Sequence, residues 1–271
     1  KDHGAGIIVH NDAQHFSAGV DLNAFRAMIE AQDWDGIDGF LWRFQMAVKA
    51  LKYAPVPVVG APSGLGVGGG FEVLAHCDNL VVHSNSVLGL VESAVGVVPS
   101  GGGVKESYLR WHQQTESWDE AAWKCWMNIG YAATGSSPEL SARLQYFRPD
   151  RDETIMNRDR LLPRAIALVG ELAVNYQPPK PPKAKLATAS LADKMADFMQ
   201  TGVNKGDFMP HDKTTAMAIA SIMVQSAGDA AIVDEDTLYA RERAAFISLA
   251  KTAPTYQRIS SMLGDGAPVR N

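Results

Sequence analysis

The sequence predicts an α/β core followed by an α-helical region, and three observations carry that prediction. Three times in the first 105 residues a short β-type run leads into a small glycine-bearing turn and then into a helical pattern. After about residue 110 the strand signals stop and helical periodicity takes over. The 271 residues are 46% hydrophobic and 20% charged without low-complexity tracts, which fits a globular chain with a real core and excludes disorder and collagen-like repeats.

In the first unit GAGIIVH is the strand, FSAGVDL the turn and NAFRAMIEA the helix. An amphipathic helix follows, with Trp34, Ile37, Phe40, Leu41, Phe44, Val48 and Leu51 at helical spacing. It ends near Tyr53 because Pro55 and Pro57 cannot continue it. VPVVGAP, SGLGVGGG and FEVLAHC make the second unit; NLVVHS and VLGLVE, then VGVVPSGGG and KESYLRW, make the third. Recurring strand, glycine turn and helix imply stacked ββα-like units. Beyond them, helices are predicted over 159–175, 191–201, 214–227 and 234–252, and QPPKPPKAK at 177–185 reads as a stiff, basic connector of polyproline type. The expected division is a core over 1–130 and a helical region over 131–271.

The net charge of −5 is carried with scattered basic residues, so neither nucleic acid nor a membrane surface is an expected partner. The longest mostly apolar stretch, 56–74, holds Pro57, Pro62 and six glycines and is no membrane span. Cys77 and Cys125 are too few for a disulfide framework and lack metal-ligand spacing, as do the seven histidines; a reducing, cytoplasmic setting and no metal are expected. The chain opens at Lys1 and reaches an apolar run at Ile7 without a signal-peptide pattern, so it reads as a piece of something larger.

GVGGGFE, residues 66–72, is the sharpest local feature. Gly68, Gly69 and Gly70 between a strand and a helix bare the backbone, so N–H groups can face an anionic or polarising ligand at the positive helix end. The string Gly64-x-Gly66-x-x-Gly69 formally matches a dinucleotide fingerprint, but its glycines come late after the strand, and in the second unit instead of the first. The better reading is an oxyanion hole whose second donor comes from FSAGVDL, through bare Gly19 and the N–H of Val20; the plainer alternative for that string, an ordinary turn with Asp21 as helix N-cap, is outweighed by its pairing with the glycine run. Glu72 and Glu92 stand close in sequence to these turns, both with apolar flanks. Two carboxylates sharing a desolvated pocket separate in pKa, so that one accepts a proton while the other donates one.

Together FSAGVDL, GLGVGGGFEVLAHCD and LGLVESAVGVVPSGGG resemble the crotonase, or enoyl-CoA hydratase/isomerase, superfamily. The resemblance implies an oxyanion hole at the N–H groups of Val20 and Gly69 and catalytic glutamates at Glu72 and Glu92, the pair that hydratases carry. It implies further that Ala18, Gly19, Asp21, Leu22 and Asn23 line the CoA side, that Gly68 belongs to the substrate-binding turn, and that Ser100 stands where the family often has a glycine holding water. Stretches at 156–162, 175–179 and the C-terminal TYQRISSMLGDGAPVRN look like the hydratase region of bacterial multifunctional fatty-acid oxidation proteins. The family's first strands are missing here, and an NAD-binding 3-hydroxyacyl-CoA dehydrogenase is expected upstream.

The expected function is syn hydration of a trans-2-enoyl-CoA to a 3-hydroxyacyl-CoA in β-oxidation. The alternatives are 3,2-enoyl-CoA isomerisation through Glu92 alone and a non-catalytic acyl-CoA-binding module. No cofactor is expected in this chain: CoA is part of the substrate, and NAD would serve only the upstream domain. By resemblance a homo-oligomer, trimer or hexamer, is expected, with a thiolase as partner of the parent protein. Trp111, Trp118, Trp123 and Trp126 suit helix packing better than an acyl-pocket wall. Lys180, Lys183 and Lys185 suit a solvated loop better than CoA phosphates, and His76 and Cys77 read as structural.

Overall fold

The computed structural model describes residues 5–271. Up to residue 115 the order is β1 (Ile7–Val9), α1 (Leu22–Glu30), α2 (Trp34–Lys52), β2 (Val58–Gly60), β3 (Leu65–Val67), α3 (Gly69–Ala75), β4 (Asn79–His83), β5 (Val87–Gly89) and α4 (Gly103–Thr115). There follow α5 (Trp118–Gly130), β6 (Thr134–Gly135), α6 (Pro138–Arg143), β7 (Glu153–Ile155), α7 (Leu161–Leu172), β8 (Lys183–Lys185), α8 (Ala189–Lys205), α9 (Pro210–Met223), β9 (Ile232–Asp234), α10 (Glu235–Ala250) and α11 (Ala253–Asp265). The fold is mixed α/β.

The chain forms two compact units, each assembled from separate segments, whereas the sequence division has a single boundary after residue 130. The first unit takes residues up to Val20, Met46–Gly89 and Thr134–Lys180. Its larger sheet has the order β1-β2-β4-β7 with every pair parallel, in the register Ile8 to Val59, Gly60 to Leu80 and Val82 to Thr154. Parallel strands covered by helices read as continuous apolar runs, which is why IIV, VVG and NLVVH show no alternation. Leu161, Ala165, Leu168 and Val169 recur at helical spacing on α7 and pack on Val59, Ala61 and Val81 of this sheet. A smaller sheet has the order β3-β5-β6, with β3 and β5 parallel and β6 antiparallel to β5.

The second unit takes Asp21–Gln45, Leu90–Ala133 and Pro181–Asn271. It is helical: α4 packs on α5, and α9 on α5, α8 and α10. One ribbon interrupts it, β8 against β9 with Ala184 opposite Val233.

Several expectations need correction. Strands do occur after residue 110, namely β6, β7, β8 and β9, but each is two or three residues long and is held by its partner, with no pattern of its own. The connector at 177–185 ends as strand β8. The helix expected over 159–175 is α7, entered through a 3-10 turn at Arg158–Arg160. The one expected over 214–227 begins earlier, because Pro210 suits a first helical position and Asp212 accepts a 2.8 Å bond from Met209 N–H. Helix α11 was not anticipated.

Candidate active site

The glycine turn lies at the junction of β3 and α3. Gly68 adopts φ +58° and ψ −135°, a backbone shape open to glycine, and donates its N–H to Gly89 O at 2.9 Å. That bond ties the turn to the end of β5, so the next N–H along the chain is that of Gly69. Helix α3 starts at Gly69 without a side-chain cap, and first-turn N–H groups have no acceptor within their own helix. They point along the positive end of the helix from a buried position.

The FSAGVDL turn runs alongside. Ser17 extends the smaller sheet: its N–H donates to Leu65 O at 2.8 Å and its carbonyl accepts from Val67 N–H at 3.1 Å. Ser17 Oγ then accepts from Gly19 N–H at 3.1 Å, and a Cβ placed on Gly19 would lie 3.8 Å from Val67 O. Ser17 also touches α3, since a Cβ on Gly70 would stand 2.3 Å from Ser17 Cβ. The peptide that carries Val20 N–H and the peptide that carries Gly69 N–H thus belong to two turns in contact within one unit. Val20 is 39% exposed and Gly69 is buried.

Gly70→Ala is expected to displace Ser17 and the donor turn behind it. Overpacking of this kind costs about 1–3 kcal/mol. We expect a lower melting temperature and a lower kcat, with partial recovery of both in Gly70→Ala/Ser17→Gly; a silent single variant would contradict the close approach.

Glu72 is 3% exposed in the first turn of α3. Its N–H donates to Gly68 O at 3.0 Å and its carbonyl accepts from His76 Nδ1 at 2.7 Å, so the backbone beneath the carboxylate is fixed at both ends. His76 and Cys77 are buried, and Cys77 Sγ contacts Val73 O at 3.6 Å, as suits packing groups.

Glu92 belongs to the second unit, and the expectation that it ends a strand is corrected: β5 stops at Gly89, and Glu92 opens a 3-10 turn over Glu92–Val95. The turn is pinned by Ser93 Oγ on Ile129 O at 2.5 Å and by Thr255 Oγ1 on Gly96 O at 2.7 Å. Because the Thr255 hydroxyl hydrogen goes to Gly96, His211 Nε2 carries the hydrogen in its 2.8 Å contact with Thr255 Oγ1. Burial, followed by the nearby Arg258 cation, lowers the His211 pKa below its usual 6.5, while Asp212 opposes the shift. The unfolded chain therefore takes up this proton first. Stability should be intact above about pH 6.5 and fall as the pH drops through that value toward the lowered folded pKa. Melting curves between about pH 7.5 and 5.5 test this, with His211→Gln expected to flatten the dependence.

The other site candidates divide. Asp21 has the capping role: its Oδ1 accepts from Asn23 N–H at 2.9 Å at the start of α1. Asp21, Leu22 and Asn23 fall in the second unit, whereas Ala18 and Gly19 stay with the first. Ser100 is buried; its hydroxyl meets Val98 O and Glu242 O at 3.2 Å each, and its carbonyl accepts from Gln45 Nε2 at 2.7 Å. The turn after it is capped internally, because Glu242 Oε2 accepts from Gly102 N–H at 2.7 Å and Oε1 from Lys105 N–H at 2.8 Å. The sequence reading passed over Glu242 and Gln45, both fully buried supports of this turn. A signal exists for Glu242, which falls on the apolar stripe of α10 with Leu238, Tyr239, Ala245, Phe246 and Leu249.

Gly64 precedes β3 and Gly66 lies inside it, so the fingerprint glycines do not form one strand-to-helix turn. Trp126 is buried with Nε1 donating to Ala216 O at 2.7 Å, and Trp118 stacks on His112 at 3.5 Å, both as helix packing. Lys180, Lys183 and Lys185 are exposed. Among the described residues no group of three or more His, Cys, Asp or Glu side chains could hold a metal, and no helix is long and apolar enough to cross a membrane.

Residues 1–110 match the sequence model of the family described as enoyl-CoA hydratase/isomerase. The match covers 110 of the 271 residues, a stretch that holds FSAGVDL, GLGVGGGFEVLAHCD and LGLVESAVGVVPSGGG. A Bacillus subtilis (strain 168) protein named "Probable 3-hydroxyacyl-CoA dehydrogenase" is 30% identical over 272 residues, covering 98% of this chain and 34% of its own. "Fatty acid oxidation complex subunit alpha" of Idiomarina loihiensis is 32% identical over 98 residues, covering 36% of this chain and 13% of its own. The chain thus spans about a third or less of these curated relatives. The crystal structure of an enoyl-CoA hydratase from Bacillus halodurans has the same fold, with a TM-score of 0.60 at 16% identity over 94% of this chain and 81% of that one.

Proposed function

We propose that the chain catalyses the reversible addition of water to a trans-2-enoyl-CoA, giving a 3-hydroxyacyl-CoA. The observation that carries this reading is a buried carboxylate, Glu72, on an uncapped helix start packed against the Ser17–Val20 turn. The thioester oxygen would accept from Val20 N–H and Gly69 N–H, each such donor contributing typically about 2.7–4 kcal/mol to the transition state. Glu72 takes a proton from water as its oxygen bonds to C3. A second acid returns a proton to C2, and Glu92 is assigned to that step on the sequence resemblance alone. Glu72 then holds a proton and the second acid has lost one, and passage of one proton from Glu72 to that acid through solvent restores both. The net reaction consumes one water and involves no change of oxidation state that needs a redox cofactor.

The relatives named for fatty acid oxidation and 3-hydroxyacyl-CoA dehydrogenase agree with a place in β-oxidation beside an NAD-dependent dehydrogenase, as part of a longer protein. A homo-oligomer in the cytoplasm, with a thiolase as partner of the parent protein, completes the proposal; light scattering tests the assembly. The deciding assay gives crotonyl-CoA and a 3-enoyl-CoA to the same preparation. Loss of the crotonyl-CoA double bond with formation of the 3-hydroxy product is expected. Turnover of the 3-enoyl substrate alone would replace hydration by isomerisation, and CoA binding without either reaction would leave only a binding module.

A further inference from the structure

Within the second unit a cavity of 340 Å³ opens against Ser93 and Ala94, the residues that follow Glu92. Its size lies in the range of small-molecule pockets, about 300–1,000 Å³. Trp126, Met127, Phe198, Met199 and Ala216 make an apolar wall from α5, α8 and α9. Set into it is Thr215, 2% exposed, whose Oγ1 has no hydrogen-bond partner. A helical threonine ordinarily bonds back to the carbonyl four residues earlier, and a buried hydroxyl left unbonded is costly. Thr215 makes no such bond and lines the cavity, so the hydroxyl is placed for a ligand oxygen.

The charges at the cavity cancel. Arg258 Nη2 pairs with Asp212 Oδ1 at 2.6 Å, and Arg270 Nη2 donates to the Asp207 carbonyl at 3.2 Å, so two cations stand with two carboxylates. A charged ligand would meet no net opposite charge to offset its desolvation. We propose that this cavity binds an uncharged aliphatic molecule carrying one hydroxyl or carbonyl oxygen, with that oxygen on Thr215 Oγ1 and the chain along Trp126 and Met199. The site does not depend on the hydration reading.

Calorimetric titration of the whole chain with 1-octanol tests it. Saturable binding is expected, at least about tenfold tighter than octanoate, and Thr215→Val, which keeps the shape and removes the hydroxyl, should weaken it about tenfold at an unchanged melting temperature. Met127→Trp, filling the cavity from a half-exposed position on α5, should abolish binding and guards against a misfolded Thr215 variant. The ligand chemistry is shared by free alcohols and by the acyl part of a thioester. Octanoyl-CoA titrated with and without saturating 1-octanol separates them, since competition assigns the cavity to the acyl chain and independence assigns it to a free molecule. No saturable binding of 1-octanol, equal or tighter binding of octanoate, or full affinity in folded Thr215→Val would overturn the proposal.

Discussion

Glu72→Gln is expected to lower kcat for crotonyl-CoA hydration by about 10²–10⁴-fold, the range that a positioned acid or base contributes. The substitution keeps the volume of a side chain only 3% exposed, and the His76 bond goes to the backbone carbonyl of residue 72, so the fold and melting temperature should be nearly unchanged. KM should also change little, because the amide removes proton transfer and leaves the donors of the two glycine turns in place. Stopped assays with crotonyl-CoA give kcat and KM separately. A variant that turns over like the wild type would remove Glu72 from the chemistry, and with it the observation on which the hydration reading rests.

The largest effect on stability is expected at Glu242. Its carboxylate is fully buried and accepts from Gly102 N–H and Lys105 N–H, closing the start of α4, where Gly102 offers no side chain. Nearby, Lys105 Nζ is fully buried on Glu106 and Glu235 at 2.5 and 2.6 Å; burial pulls its pKa down, but Glu106, Tyr239 and Glu235 together raise it above the usual lysine value. Glu242→Ala leaves two buried N–H groups unbonded, removes a negative charge from a helix start and opens a void. A buried donor that loses its acceptor typically costs about 1–3 kcal/mol, so for two donors we expect a loss of about 2–6 kcal/mol in urea unfolding. Glu242→Gln retains an acceptor oxygen and should lose less. A loss below about 1 kcal/mol in Glu242→Ala would mean that water or a neighbouring group takes over both donors.

The legible parts of the molecule were those in which backbone geometry restricts residue type. A run such as NLVVH can be a strand covered on both faces, and GVGGG can lead into a helix only through a turn that glycine permits, so β4, α3 and the glycine turn before α3 could be read directly. Helix α2 was equally open, because Pro55 and Pro57 fix where it stops. The short strands were not, since ETI at β7 owes its extended shape to pairing with Val81 to His83 far away in sequence. Glu92 was misplaced as an element: the chain turns after Gly89, whose carbonyl is taken by Gly68 N–H, a bond between positions 21 residues apart. The apolar stripe of α10 marks Glu242 for burial, but not its partners or those of Gln45, because the backbone groups of the 100–105 turn that bond them lie far away in sequence. Asp21 shows the reverse case: the capping role, weighed as the plainer alternative for its turn, is observed at the start of α1.

The chain returns to each unit twice after leaving it, so three separate stretches of sequence build either one. No continuous stretch of the chain therefore makes up either unit. A cut after residue 130 would divide the second unit between Gly130 and Ala133 and would strand α6, β7 and α7 away from the sheets they complete. Exchange of parts with a relative would succeed only if the segments that meet in one unit travel together, so the exchangeable pieces are sets of segments, not lengths of chain.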